Sequence, residues 1–421
     1  MSPFVTNFKN NRRMQAIVGA GCIFLLLLAL WTSAPTSAPP PQRQPQQQHP
    51  PSKLLYGKGS KDGMPTYTFS DGSVFQKPKK FKIYGLVFYG RWDRVQILDC
   101  YLKKNLVQHG GFLDKVVFIS NTAVKSDLAA LEKLLKSEPE GYVLGKTIPV
   151  HDDALDFHNI WEGLDPDALY IKIDDDIVYI HNDAIPSLIR YRFSNPEYFI
   201  VSANVINNPA LSWVHERLGA TSPFLPEREA LADFNPTQAL TDWKISSLPF
   251  IKHSGNINGD IKPPNKPHRW LPVDTRTRAP FDVNNDHTPM AKAEYNAWGP
   301  GWNDWRLAAQ QHYSFFQNAE LGERGLRNYW FERWDMNYDR LSINFIAIWG
   351  KDVADSFPIP RDDEAHLTQT VPKRLGRHVV VHGQALTAHY SFGAQKDGLA
   401  NTDVLERYRA YAKDYCGKLL V

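Results

Sequence analysis

The chain has 421 residues, 43% apolar and 12% aromatic with 12 tryptophans, which is enough apolar surface for a large core and excludes a wholly disordered chain. Lys and Arg (48) barely exceed Asp and Glu (45), and no basic block is interleaved with aromatics, so no nucleic-acid partner is expected. Of 3 cysteines, Cys22 lies in an N-terminal apolar run, leaving Cys100 and Cys416 as a possible pair; no CxxC or Cys/His cluster points to zinc.

Residues 1–15 carry Lys9, Arg12 and Arg13 and are read as a cytoplasmic tail. Residues 16–31 (AIVGAGCIFLLLLALW) are uncharged and apolar, and the positive charge lies before them, a positive-inside signal for a single-pass type II anchor. As a helix this run rises roughly 24 Å, which suits the thinner bilayers of the early secretory pathway, ER or Golgi. A cleaved signal peptide is the alternative, because Ser33, Ala34, Ser37 and Ala38 offer small residues to a peptidase. Either way the remainder is lumenal. Residues 32–80 begin TSAPTSAPPPQRQPQQQHPPS and are read as a stiff Pro/Gln stem and linker.

The first patterned segment, 82–89 (KIYGLVFY), reads as a buried strand that stops at Gly90-Arg91. In 93–108, Val95, Leu98, Leu102 and Leu106 fall on one helical face, and Gly110-Gly111 ends the helix. A strand at 115–120, a helix at 123–136 and a short strand at 141–144 follow. Residues 169–173 (LYIKI) form a strand that runs into Asp174, Asp175 and Asp176, with a helix at 182–191 behind it. This alternation predicts an α/β fold with a mostly parallel sheet and helices on both faces, ligands gathering at the carboxyl ends of the strands. Residues 81–205 make the half that carries these elements and 206–421 the second half. The stretch 207–296 reads as long loops. Further elements are a helix at 302–317, a buried segment at 341–349, a strand at 378–381 stopping at a turn at Gly383, and a helix at 404–415.

In KIDDDIVYI, three like charges crowd between apolar residues, where a free solvated turn is out of place. Adjacent carboxylates repel unless one is protonated or a cation sits among them, and oxygen ligands suit Mn²⁺ or Mg²⁺. In extended backbone Asp174 and Asp176 point the same way, while Asp175 points elsewhere or bends in. The bland alternative is an acidic turn or a helix cap.

An apolar strand ending in DDD, after a βαβ unit and behind a type II anchor and Pro-rich stem, resembles the Golgi glycosyltransferases of the GT-A (Rossmann-like) kind. The wider run from FYGRWDRVQILDCYLKKNL through KIDDDIVYI to HYSFGAQ, roughly residues 82–396, also resembles uncharacterised fungal proteins assigned as glycosyltransferases, and that resemblance names no acceptor. It implies transfer of a sugar, a hexose by class, from a nucleotide-sugar donor to a glycan, glycoprotein or lipid. It further implies that 81–205 is the nucleotide-sugar-binding half and 206–421 the acceptor half. Asp174 and Asp175 then serve the nucleotide and Asp176 the metal, with Asp174 close enough to share it. Tyr89, Gly90 and Arg91 sit where such folds hold the nucleotide, and of His378, His382 and His389 in HVVVHGQALTAHYSFGAQ, His389 is favoured as the late histidine that returns to the metal.

An inverting transfer needs a general base, and Asp335 and Asp339 in ERWDMNYDR and Asp304 in WNDWR are the candidates. Each also fits a helix cap or a salt bridge to a neighbouring arginine. Two other classes stand beside the transferase: a lumenal glycoside hydrolase with two carboxylates and no nucleotide, and a silent carbohydrate-binding or scaffold protein.

Overall fold

The computed structural model describes residues 56–57, 63–147, 157–227, 242–251, 268–274 and 287–417, all within one compact unit, 53–421. The apolar run 16–31, and with it the expected anchor, lies outside the described residues, as do 32–55 and 58–62 of the stem and linker; its remaining residues, 56–57 and 63–80, are described. Among the described residues no helix is long and apolar enough to cross a membrane.

A small antiparallel sheet comes first, from β1 (Tyr56–Gly57), β2 (Thr66–Thr68) and β3 (Val74–Gln76). The main fold opens with β4 (Ile83–Tyr89), α1 (Trp92–Asn105), β5 (Lys115–Ser120), α2 (Lys125–Ser137) and β6 (Tyr142–Leu144). These strands pair in parallel, β6 beside β5 and β5 beside β4. Then come β7 (Leu169–Asp174), β8 (Ile177–Ile180), α3 (Ala184–Ser194), β9 (Ile200–Ile206) and α4 (Pro209–Arg217). A short antiparallel pair, β10 (Phe224–Pro226) and β11 (Trp270–Pro272), precedes the long helix α5 (Trp305–Glu320). The chain finishes with β12 (Arg333–Asp335), β13 (Phe345–Trp349), β14 (Val379–His389) and α6 (Val404–Cys416).

Nine strands form the central sheet in the order β12-β14-β9-β13-β7-β4-β5-β6, with β8 joined to β14 off that path. The sheet is mixed, which corrects the expectation of a mostly parallel one. β13 runs antiparallel to both β7 and β9, β14 is parallel to β9, and β8 and β12 are antiparallel to β14. The direction of β13 could not be read from its apolar run, because FIAIW is buried whichever way it points. Strands from 206–421 are inserted among those of 81–205, so one continuous sheet joins the two stretches.

Several elements differ from the sequence expectation for identifiable reasons. β9 (IVSANVI) was not foreseen because Ser202 and Asn204 interrupt its apolar pattern; both are buried, and Asn204 Nδ2 donates to the carbonyls of Tyr329 (2.8 Å) and Gly383 (2.9 Å). β8 and α4 were also missed. The expected turn at Gly383 is instead the interior of the eleven-residue β14. Glycine is required there for close approach: a Cβ would stand 2.1 Å from the Phe331 carbonyl oxygen. Near it the pairing of β14 with β9 shifts register, between His382 and Leu386.

Cys100 on α1 and Cys416 at the end of α6 are joined in a disulfide, with Cα atoms 6.0 Å apart and a sequence separation of 316. Both are buried. Closing so long a loop restricts the unfolded chain, so Cys416→Ser should lower unfolding free energy by about 2–5 kcal/mol in a urea titration. An unchanged midpoint in wild type under reductant and in the variant would remove that role.

Among the buried histidines, His215, His312 and His382 are shifted most clearly. Burial pushes His215 down to about 3, and His312 and His382 down to about 4. As pH falls below about 6.5, the unfolded chain binds protons on these rings that the folded chain refuses, so stability declines with falling pH. Each contributes up to about 1.4 kcal/mol per pH unit until its folded value is reached. Urea midpoints should therefore drop clearly between pH 7 and pH 5; a flat profile would contradict the burial of these rings.

Candidate metal centre

Parallel pairing of β4 with β7 sets Phe88 opposite Asp174, so both strands deliver their carboxyl ends to one edge of the sheet. Gly90 and Arg91 follow β4 directly, and Asp174, Asp175 and Asp176 make the tight link from β7 to β8. The end of β14 lies antiparallel to β8 with a register shift between Ala388 and His389, which places His389 opposite Ile177. The Tyr390 N–H donates to the Asp176 carbonyl at 2.8 Å and fixes this approach.

Ligand-capable atoms of Asp174, Asp176 and His389 all lie within 4.8 Å of one another. His389 Nε2 is 3.1 Å from Asp176 Oδ1, and Arg91 Nη2 is 3.1 Å from Asp176 Oδ2. Asp175 turns the other way: its Oδ2 accepts from the Gly90 N–H at 2.9 Å, and the Arg91 guanidinium binds both its oxygens. Asp174 Oδ2 accepts from Asn344 Nδ2 at 3.0 Å, and Oδ1 is paired with Lys172, whose Nζ also donates to the Ile343 carbonyl at 2.7 Å.

Electrostatics separate the three acids. Burial pushes the Asp175 carboxyl above its ordinary value despite the adjacent Arg91. Burial acts in the same direction on Asp176, but Arg91 and then His389 outweigh it and hold that carboxyl well below the usual range. Arg91, in turn, loses to burial less than it gains from Asp176 and Asp175, so its guanidinium stays charged.

These residues line a cavity of about 520 Å³, together with Phe88, Asn121, Ile160, Asp363, Glu364, Ser391, Phe392 and Gly393. Two buried polar atoms at this site, His389 Nδ1 and Ser391 Oγ, make no hydrogen bond. Two carboxylates and one imidazole are a donor set suited to a hard or borderline divalent ion such as Mn²⁺ or Mg²⁺. Three carboxylates facing Lys172 and Arg91 leave one surplus negative charge, and a divalent ion would turn that surplus positive.

The structure brings Gly90, Arg91, Asp174, Asp175, Asp176 and His389 together. Tyr89 is elsewhere: its hydroxyl donates to the Asp127 carbonyl at 2.6 Å and its ring packs on Phe118, because alternation along β4 turns it away from Phe88 and the cavity. None of the three expected base candidates lines the cavity. Asp304 caps α5, accepting from the Arg306 N–H at 3.0 Å and pairing with its guanidinium at 2.8 Å. Asp335 bonds His378 Nδ1 at 2.8 Å and the Asn337 N–H. Asp339 borders a separate open recess with Lys373 and Arg374.

Asp363 and Glu364 occupy the cavity wall that those candidates do not. Burial raises both carboxyls. Asp363 Oδ2 accepts from Trp161 Nε1 at 2.7 Å, and Glu364 Oε1 accepts from Arg340 Nε at 2.7 Å. In RDDEAH they read as an ordinary exposed acidic run, so no sequence signal singled them out. Lys172 did carry one: a lone charge inside the apolar LYIKI run.

No protein-family model matches this chain, and no curated protein matches it. Three solved structures illustrate what it is similar to. GalNAc-T7 with UDP, GalNAc and Mn²⁺ aligns at 9% identity and a TM-score of 0.38, over 77% of this chain and 46% of that one. The mannosyltransferase PcManGT from Pyrobaculum calidifontis, in complex with GDP-Man and Mn²⁺, aligns at 11% identity and a TM-score of 0.26, over 34% and 42%. A 4-diphosphocytidyl-2C-methyl-D-erythritol synthase from Anaerococcus prevotii aligns at 14% identity and a TM-score of 0.22, over 30% and 56%. The chain thus spans about half the length of the solved chains it matches. Likeness at this level assigns neither a fold family nor an activity.

If these donors form a metal site, Asp176→Asn and His389→Ala should each weaken Mn²⁺ binding by roughly 10- to 100-fold or more in calorimetry, with a melting temperature within a few degrees of wild type. Unchanged affinity in both would mean that the cluster is a buried ion-pair network.

Proposed function

We propose that this chain is a metal-dependent glycosyltransferase of the GT-A kind, moving a sugar from a nucleotide-sugar donor to a glycan, protein or lipid acceptor. One observation carries the reading: Asp174, Asp176 and His389 converge in a cavity at the carboxyl ends of parallel strands. Open α/β sheets bind their ligands at that edge. We further propose that the protein is a type II membrane protein of the Golgi or ER with this domain in the lumen, a setting that suits the Cys100–Cys416 disulfide.

A divalent ion bound there would act as a Lewis acid toward the diphosphate oxygens and stabilise the leaving nucleoside diphosphate. The chain's own groups have separate tasks. Asp174, Asp176 and His389 would hold the ion. Asp175 orients Arg91 and the Gly90 N–H from behind, which keeps a permanent cation at the cavity wall for phosphate. Lys172 and Asn344 fix the Asp174 carboxylate. Ser391 Oγ has an uncommitted hydrogen-bonding capacity beside His389 and is placed to bond a donor oxygen.

The test is a panel of UDP- and GDP-sugars added to the purified full chain with Mn²⁺. At least one donor should raise the melting temperature in the presence of Mn²⁺ and not in EDTA, and should be turned over. Asp176→Asn should abolish both effects. Sugar release from a glycan without nucleotide, persisting in EDTA, would instead make the protein a hydrolase. Binding of donor with no turnover under any acceptor would leave the silent scaffold reading.

A further inference from the structure

Trp298 is 53% exposed, an unusual position for an indole, and it is not isolated. The Arg340 guanidinium carbon lies 4.4 Å from its ring centroid. Arg340 also pairs with Glu364 at 2.7 Å, and Glu364 lines the metal cavity. The indole therefore stands two contacts from the cavity wall. Trp302 is set edge-to-face against it, ring centroids 5.3 Å apart.

The segment that carries both rings is held firmly. The Trp298 N–H donates to Asn296 Oδ1 at 2.9 Å. Pro300–Asn303 forms one helical turn, and the Gly301 carbonyl accepts at 2.9 Å from Gln395 Nε2, two residues from cavity-lining Gly393. Gly301 presses on α4 so closely that a Cβ would stand 2.8 Å from the Pro209 carbonyl oxygen. Arg340 is likewise fixed, bonding Asp362 at 2.8 and 2.9 Å as well as Glu364.

We propose that Trp298 is the stacking platform for a carbohydrate acceptor at the mouth of the metal cavity. The inference rests on the glycosyltransferase reading and chooses, among glycan, protein and lipid, the first. A pyranose has an apolar face of C–H groups, whose partial positive charge suits the negative face of an indole, and a rim of hydroxyls that needs acceptors and donors. The Arg340 guanidinium covers one face of the ring and is itself paired with Asp362 and Glu364, so charged groups that can meet such hydroxyls lie one contact beyond the indole. A lipid chain would need a contiguous apolar patch, whereas here a single exposed indole is bordered by charge.

The test uses the full chain with Mn²⁺ and three probes: methyl α-D-mannopyranoside, methyl β-D-galactopyranoside and methyl β-D-glucopyranoside, followed by saturation-transfer NMR and by tryptophan fluorescence. At least one glycoside should bind. Trp298→Ala should weaken its binding by roughly tenfold or more, and Trp298→Phe, which keeps a flat ring, by only about threefold. Mn²⁺ affinity and melting temperature report separately on the metal centre and the fold. Equal glycoside affinity in wild type and Trp298→Ala overturns the proposal, as does absence of binding by all three probes. Glycoside binding that depends on Trp298 in a protein that binds no Mn²⁺ would uphold the platform while removing the transferase reading.

Discussion

Three adjacent carboxylates at the end of a buried strand are the constraint around which this structure is organised. At an effective dielectric typical of a protein surface, two unit charges 4 Å apart repel by about 4 kcal/mol, so the cluster demands compensation. The fold supplies it from four directions. Arg91 comes from the end of β4, Lys172 from within β7, Asn344 from the approach to β13 and His389 from the end of β14. Lys172 belongs to β7 itself; each of the others arrives because its strand borders β7, or borders β8, into which the aspartates lead.

That compensation is uneven, and the unevenness is useful. Asp175 is so thoroughly engaged by Arg91 and the Gly90 N–H that it serves as a support. Asp176 pairs with His389, Asp174 lies within 4.8 Å of both, and the ring's other nitrogen is buried without a partner. A site of this kind favours a small cation over further hydrogen bonding. Filled by a divalent ion, the three aspartates with Lys172 and Arg91 would carry one net positive charge, with Asp363 and Glu364 remaining on the cavity wall.

Packing around the site explains why it keeps its shape. β7 is buried along nearly its whole length, and α5 is buried over most of its surface behind the second half of the sheet. The disulfide between α1 and α6 ties the first helix of the main fold to the last. Arg340, bridging Asp362, Glu364 and Trp298, links the cavity wall to the exposed indole outside it. A rearrangement at either place would be felt at the other.

Much of the site's local chemistry was legible in the sequence. The apolar strand entering DDD, the Gly90-Arg91 turn after the first strand, and the alternation that separates Asp175 from its neighbours are all short-range features, fixed by backbone geometry within a few residues. The helices and strands from 82 to 174 were legible for the same reason, since each has a clean period, whereas the short strands β1–β3 fell in the segment read as stem and linker. What only the tertiary structure decided was long-range. Antiparallel insertion of β13, the continuation of β14 through Gly383, and the pairing of Cys100 with Cys416 depend on contacts between distant segments. So does the exchange of roles between carboxylates. Asp304 became a helix cap and Asp335 a partner of His378, while Asp363 and Glu364, unremarked in an acidic run, reached the cavity because Trp161 and Arg340 hold them there. A carboxylate's role is set by the groups that surround it in space, and sequence spacing carries that information only where the neighbours in space are also neighbours in the chain.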